Sequence, residues 1–425
     1  MALDQIPARV IANAKLAILD CLGVSVLATQ YELAKKLLRL AQQESWRGPC
    51  QVWGSNISAS ARDAAFANGA LAHALDYDDG GHVTTFILAA ATAVAEREDA
   101  SGAQLLTAFI VGREVRMSMD GLFSNRFEGG GPGARGWHAN GILGPVAAAC
   151  AASRLMKLDM IQTLNAIGIA AGSCGALGRD GGTMAKPLRA GQAAASGITA
   201  ALLARDGATG DAEALEGAHG LFSALGPLDE SVLENMGQGL GQEFYGEKND
   251  VKVKRYPAAA ATHAPVEAML RLGSKRPLAF DDVAAIECHL KPFPLLRLSP
   301  HSGDAGRFSM AYCLAVALVF GRLTADDFSE ERARDERITG LLATVRHHDD
   351  AKSLTVTLTN GEKLSEPIWP VTDLHGWDEV VEKFIRCTRD KLAETHRSRV
   401  IEMVNQLEKL SAVRSLTEAL RPSFN

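Results

Sequence analysis

Residues 68–82 read Asn-Gly-Ala-Leu-Ala-His-Ala-Leu-Asp-Tyr-Asp-Asp-Gly-Gly-His. An Ala-rich helical run ends in three acids and a glycine pair, followed by a histidine. Charge at the mouth of an apolar helix is costly unless it is solvated, paired or used. The helix dipole disfavours negative charge at that end. Asp76 and Asp79 are three apart, so a continuing helix would place them on one face. Two readings stand: a solvated helix end, or a functional acid cluster comprising Asp76, Asp78, Asp79 and His82. Three further segments set a His or Lys among small residues, around His138, Lys186 and His263. Together they suggest one site assembled from distant parts of the chain.

Outward from this stretch, the first 245 residues read as helices. Alanine dominates, and apolar positions recur at helical spacing, as around Ile11, Lys15, Ile18 and Leu22. Residues 139–156 and 190–204 predict small-residue helices able to pack closely. The glycine-rich stretches 128–136 (EGGGPGARG) and 178–182 (GRDGG) predict loops just before His138 and Lys186. Neither follows a strand, and the spacing is wrong for a dinucleotide fingerprint. After about residue 250 the character changes. Residues 283–290 and 353–368 carry β-branched residues in partial alternation, the second interrupted by Asn360-Gly361, a two-residue hairpin signal. Helical runs at 308–320 and 325–342 lie between, and 378–392, 397–410 and 413–420 turn helical again. The expected fold is mainly α: a large all-helical domain from 1–254 and 386–425, with a smaller α/β domain inserted at 255–385.

A chain of 425 residues is long enough for two domains. Hydrophobic residues at 47% and charged residues at 22% are globular proportions. A net charge of −6 leaves no electrostatic footprint for nucleic acid. The opening Met-Ala-Leu-Asp-Gln-Ile-Pro lacks a basic signal-peptide region. The apolar stretch 16–27 is broken by Asp20, and 85–95 falls short of the ~20 residues that span a bilayer. No membrane association and a cytoplasmic location are expected. Seven cysteines, an odd count without a CxxC pair, fit reduced thiols.

His138 opens an Ala-rich helix, where outward-pointing N–H groups suit an anion and the dipole favours neutral imidazole; it is equally a plain helix-start residue. Pro187 can open a helix and holds Lys186 extended before it. Arg189 could join that lysine as a carboxylate clamp, or both could be surface cations. Lys252, Lys254 and Arg255 fall at the expected domain boundary, where clefts are common. His263 reads either as a site residue or as a core histidine. His73, His219, His289, His301, His347, His348, His375 and His396 have weaker contexts. Asp, Asp and His could ligate a cation, but HxxxH and a dense carboxylate set are missing, so no metal is expected. There is no GxSxG and no cysteine in an activating context. Histidines, lysines and a carboxylate suit proton transfer on an anionic substrate.

As a group, these segments resemble the MmgE/PrpD family, which includes 2-methylcitrate dehydratase, cis-aconitate decarboxylase and iminodisuccinate epimerase. The resemblance runs through NGALAHALDYDD (68–79), GWHANGILGPVAAACAAS (136–153), GTMAKPLRAGQAAASG (182–197), EGAHGLFSALG (216–226), KRYPAAAATH (254–263), RFSMAYCLAVAL (307–318) and KFIRCTRDKL (383–392), in family order. It implies that the α/β insert is a lid, that the protein is a homodimer, and that the chemistry needs no cofactor. It maps catalytic positions onto Asp76, His138, Lys186 and His263, adds Lys254 and Tyr312, and matches His82 by counting back from Glu96. The family loop after the acids is longer; here it is Gly80-Gly81. Arg189 stands where the family often has His, and Arg255 where it often has Pro.

The resemblance implies a small di- or tricarboxylate substrate and a carbanion or enolate formed beside a carboxylate. Lys186, with Arg189 or Lys254, would hold carboxylates and stabilise the developing charge. His138 or His263 would take the α-proton, another histidine with Tyr312 would protonate the leaving hydroxyl, and Asp76 would orient a histidine. The leading expectation is a hydro-lyase of the 2-methylcitrate dehydratase type. The alternatives are an epimerase, a decarboxylase, or a non-catalytic carboxylate-binding homologue.

Overall fold

The computed structural model describes residues 2–123, 131–226, 228, 230–290, 300, 302–371 and 373–423. The first part of the 128–136 loop, and His301, lie outside the described residues. The protein is 58% helical with 8% strand, which makes it mainly α.

The helices that matter for the site are α1 (Ala8–Ala28), α2 (Ala61–His73), α3 (Val83–Arg97), α4 (Gly102–Ser118), α5 (Ala139–Leu155), α6 (Met160–Ala171) and α7 (Ala185–Arg205). Ser60 caps α2 through the Asp63 N–H, and Ser101 caps α4 through Gln104. α7 begins earlier than the expected 190, because Pro187 sits in its first turn, where a missing N–H costs nothing.

Small residues set the helix spacing. Where α2 crosses α7, a Cβ on Gly191 would lie 2.1 Å from the Phe66 carbonyl oxygen, and one on Gly69 would lie 2.9 Å from that of Ala190. A Cβ on Gly197 would come 2.5 Å from Ala148 Cβ on α5. This contact matters for function, since α2 leads into Asp76 and α7 carries Lys186.

α1 is long and apolar enough to cross a membrane by length and composition, but 78% of its apolar window is buried inside the protein. Its interruption, Asp20, pairs at 2.7 Å with Lys383 of α10 (Trp377–Thr388), and both side chains are buried. The close fit of Gly23 against Phe384 lets α10 lie on α1. The largest apolar core therefore contains side chains from both chain ends, such as Ile18, Phe86 and Val94 with Phe384, Val400 and Leu416.

A second core gathers α8 (His263–Lys275), α9 (Met310–Phe320) and a four-stranded sheet. The strands are β1 (Val283–His289), β2 (Val345–His348), β3 (Ser353–Leu358) and β4 (Lys363–Pro367), in the order β2-β1-β3-β4. β1 runs parallel to β2 and antiparallel to β3, and β3 and β4 form the hairpin expected at Asn360-Gly361, with Gly361 at φ +86°.

Two expectations need correction. The run 325–342 is several short helices, because the Ser329 and Asp335 side chains cap new starts at Glu330 and Glu336, accepting from the N–H groups of Arg332 and Arg337. The first 245 residues also contain a short antiparallel pair, Cys50–Gln51 with Ser58–Ala59.

Gly191→Ala tests the α2–α7 crossing. It is expected to cost about 1–3 kcal/mol, the usual range for overpacking, read as a lower urea midpoint at unchanged slope.

Candidate active site

α2 ends at His73, and the chain then leaves helical geometry. Asp76 has φ +50° and His82 φ +59°, both in the left-handed region that costs non-glycine residues strain. Asp76 and Asp79 therefore share no helical face. Asp79 instead caps α3: its carboxylate accepts from the N–H groups of Val83 (3.0 Å) and Thr84 (3.1 Å) and from the Thr84 hydroxyl. A carboxylate there also complements the positive end of the helix dipole.

Asp76 is buried between two lysines. Lys186 Nζ donates to its Oδ1, and Lys254 Nζ lies 2.7 Å from Oδ2 and 2.9 Å from its backbone oxygen. Burial pushes its carboxyl up, yet the two ammonium groups hold it well below the usual carboxylate range. Burial pushes Lys186 down, opposed by Asp76, and its ammonium also sits 4.9 Å over the Phe308 ring.

Asp78 is fully buried between two imidazoles, with Oδ2 2.8 Å from His82 Nδ1 and Oδ1 3.3 Å from His73 Nδ1. Burial raises its carboxyl, but His82 and His73 bring it far below the ordinary value. A carboxylate only accepts, so both histidines carry their proton on Nδ1. His82 Nε2 is then the bare nitrogen. It stands 3.5 Å from Asp76 Oδ1, beyond an ordinary hydrogen bond. Burial lowers His82 to about 4; Asp78 opposes this, while Lys186 and Lys254 add to it.

His138 opens α5 in the opposite tautomer. Its Nδ1 accepts from the Asn140 N–H at 3.4 Å, so the neutral ring carries its proton on Nε2. Burial, then Arg189 and Lys186, hold it neutral by pushing its pKa well down. Arg189 Nη1 donates to the Leu177 carbonyl at 2.6 Å, Nε lies 3.4 Å from Asp180, and Nη2 makes no hydrogen bond among the described residues.

Asp76, His82, His138, Lys186, Arg189 and Lys254 all line one cavity of about 740 Å³. A second cavity of about 400 Å³ shares Asp76 and Lys186, and His73 and Arg307 line it. The structure moves two expected residues elsewhere. Tyr312 is buried in the second core and donates to the Asp327 carbonyl at 2.7 Å, so it lines neither cavity. His263 lies behind the cavity wall, with Nε2 3.1 Å from the Ala258 carbonyl and its ring edge-on to Tyr256; only Ala259, Ala260 and Ala261 of that segment reach the cavity. Lysines occupy both Asp76 oxygens, and the carboxylate hydrogen-bonded to histidine rings is that of Asp78. Asn140, within the 136–153 segment, also lines the cavity, as do Arg113 and Arg116, which no motif in the sequence marks.

His73, Asp76 and His82 offer ligand-type atoms within 4.8 Å of one another. A cation there would displace two ammonium groups from Asp76, so the set suits a salt-bridged anion centre better than a metal.

Asp76→Asn would leave Lys186 and Lys254 buried without their counter-charge. A loss of about 3–5 kcal/mol is expected, as for other broken buried pairs, measured by chemical denaturation at pH 7.

A carboxylate clamped by two lysines, beside two neutral histidines in opposite tautomers on a small-residue helical scaffold, defines an acid–base site suited to an anionic ligand. The chain belongs to the MmgE/PrpD family: residues 1–231 match the MmgE/PrpD N-terminal domain and residues 256–409 the MmgE/PrpD C-terminal domain. It is 27% identical over 401 residues to a cis-aconitate decarboxylase of Mus musculus, covering 84% of this chain and 77% of that protein. It is 28% identical over 358 residues to a cis-aconitate decarboxylase of Homo sapiens, covering 79% and 72%. A 2-methylcitrate dehydratase of Cupriavidus necator is 35% identical over 133 residues, 26% of this chain and 28% of that protein.

Proposed function

We propose that this protein is a cofactor-free lyase that removes the proton α to a carboxylate of a small di- or tricarboxylate and expels a β-hydroxyl as water. The observation that carries this reading is the pair of opposed tautomers. His82 presents a bare Nε2, backed by the Asp78 carboxylate, and serves as the base. His138 presents Nε2–H, backed by a backbone N–H, and donates to the departing hydroxyl. Lys186 and Arg189 hold the substrate carboxylates and stabilise the charge that develops on the enolate. Lys254 keeps Asp76, and through it Lys186, in place.

Loss of CO₂ is the second reading. It is favoured by the likeness to cis-aconitate decarboxylases over most of the chain. In that case the carbanion left by CO₂ is protonated by one of the same histidines. Residues 255–385 are read as a lid, since Ala259, Ala260, Ala261 and Phe308 meet the cavity from that side. A cytoplasmic homodimer completes the proposal. Seven unpaired thiols suit a reducing compartment, and α6 exposes Met160 (76%) and Ile161 (68%), which a second copy would cover.

The test is incubation with 2-methylcitrate, citrate, cis-aconitate and iminodisuccinate in D₂O, followed by NMR. Loss of water from a hydroxy acid is expected. CO₂ release from cis-aconitate would select the second reading, and deuterium entry without net loss would select an epimerase. Inertness across the panel would leave a non-catalytic binder. Activity should survive EDTA treatment.

The pH profile gives a further check. A base must be neutral, and His82 is neutral above about 4. The acidic limb of kcat/KM should therefore fall near pH 4 and not near the ordinary histidine value of about 6.5. Asp78→Ala removes the acceptor that fixes the His82 tautomer and should lower kcat about 10²–10⁴-fold.

A further inference from the structure

Two of the cavity's histidines, His82 and His138, come from separate loops, 56 residues apart in sequence, and one residue touches both mountings. Asn140 is the second residue of α5 and is buried at the cavity wall. Its backbone N–H is one of the donors a helix start leaves without an intrahelical partner, and it goes to His138 Nδ1 at 3.4 Å. Its side-chain Nδ2 donates to the Gly81 carbonyl at 3.1 Å, and its Oδ1 accepts from Arg116 Nη2 at 3.3 Å. These neighbours leave no freedom in the amide's orientation. A carbonyl only accepts and a guanidinium only donates, so the nitrogen must face Gly81.

The loop it grips is short. Gly80 N–H donates to the Lys252 carbonyl at 2.7 Å, and a Cβ on Gly80 would stand 3.2 Å from Lys252 Cβ. Gly81 then leads into His82, whose left-handed backbone turns its ring back toward Asp78. Lys252 holds one end of the glycine pair and Asn140 the other. With both carbonyl and amide anchored, a link that lacks side chains cannot drift.

We propose that Asn140 is a positioning residue: its side chain fixes the loop that carries His82 while its backbone N–H fixes the ring of His138, so that one residue sets the spacing of the two histidines. The inference rests on the reading of those histidines as the proton-transfer pair, and it adds the device that keeps them in register.

Asn140→Asp is nearly isosteric. It keeps the acceptor for Arg116 but sets an oxygen against the Gly81 carbonyl. Asn140→Ala removes the side-chain contacts without adding charge and carries the test if the first variant folds poorly. The primary readout is ¹⁵N-histidine NMR of the full chain, with ring signals assigned by their loss in His82→Gln and His138→Gln. Both Asn140 variants are expected to move the His82 ring titration by at least about half a pH unit, upward as the ring loses burial, with the His138 proton still on Nε2. The second readout is kinetic, on whichever compound of the D₂O panel turns over. There kcat should fall about 10–100-fold, as for a displacement on the order of 1 Å, with KM within about threefold. Unmoved His82 signals in both variants would overturn the inference while leaving the proposed reaction standing. Full activity in His82→Gln and His138→Gln would overturn the reaction and this inference together, whatever the NMR shows of the loop.

Discussion

The molecule depends on how the turn after α2 is satisfied. Beyond the end of α2 at His73 the backbone carbonyls of three consecutive buried residues, Leu75, Asp76 and Tyr77, have no helical partner. Each receives a cation from the far half of the chain. Arg307 Nη1 donates to the Leu75 carbonyl at 3.2 Å, Lys254 Nζ to that of Asp76 at 2.9 Å, and Lys383 Nζ to that of Tyr77 at 2.6 Å. Lys254 and Lys383 are also paired with buried carboxylates, Asp76 and Asp20 respectively. Burying such pairs gains little net stability, but removing one partner is severe. The arrangement therefore specifies a shape more than it adds stability.

That shape is strained in ways the contacts explain. Left-handed geometry at Asp76 and at His82 would be disfavoured in a free loop. At Asp76 it is held because the backbone oxygen and one carboxylate oxygen both bind Lys254 while the other oxygen binds Lys186. At His82 it is held because the Asp79 carbonyl binds the backbone N–H at 3.0 Å and Asp78 binds the ring. The three acids that looked like one costly cluster have three separate partners: a lysine pair, a histidine pair and a helix N-terminus. Each charge is met locally, so the cluster is tolerable within an apolar core.

The sequence made much of this legible. Alanine and glycine density announced closely packed helices, and Gly69 against Gly191 is that density made into a contact. Asn360-Gly361 gave the hairpin; Pro187 lies in the first turn of α7, but Lys186 before it is helical and not extended as expected. Asp76, Lys186, Lys254 and His138 were visible as charge or imidazole beside small residues, and they meet in one cavity. Other features were not legible. Helical phase linked Asp76 to Asp79 because nothing in the sequence states that the helix stops at His73; the stop is imposed by cations arriving from residues 254, 307 and 383. Asp78 lay on the wrong face of that imagined helix, so its place between two histidines was hidden. Tyr312 and His263 sit in chemically plausible contexts, but α9 turns Tyr312 into a core and the Ala258 carbonyl binds His263, neither of which local sequence encodes.

The outcome is a division of labour between charge and proton transfer. Three imidazoles, at His73, His82 and His138, are pushed below their ordinary range, by burial first and by nearby cations next. At neutral pH they are therefore uncharged, and the positive charge of the cavity resides on lysine and arginine. In the proposed reaction an imidazolium would compete with those cations for the substrate's carboxylates and could not act as a base. Neutral imidazoles held in fixed tautomers can accept or donate a proton at a defined atom, while the lysines stabilise the negative charge that appears. Lys254, which holds the turn, and Lys186, which holds Asp76, thus also add to the burial that keeps His82 neutral. Structural and chemical roles converge on Lys186 and Lys254, which explains why a site of such simple residues needs a chain of this length to assemble it.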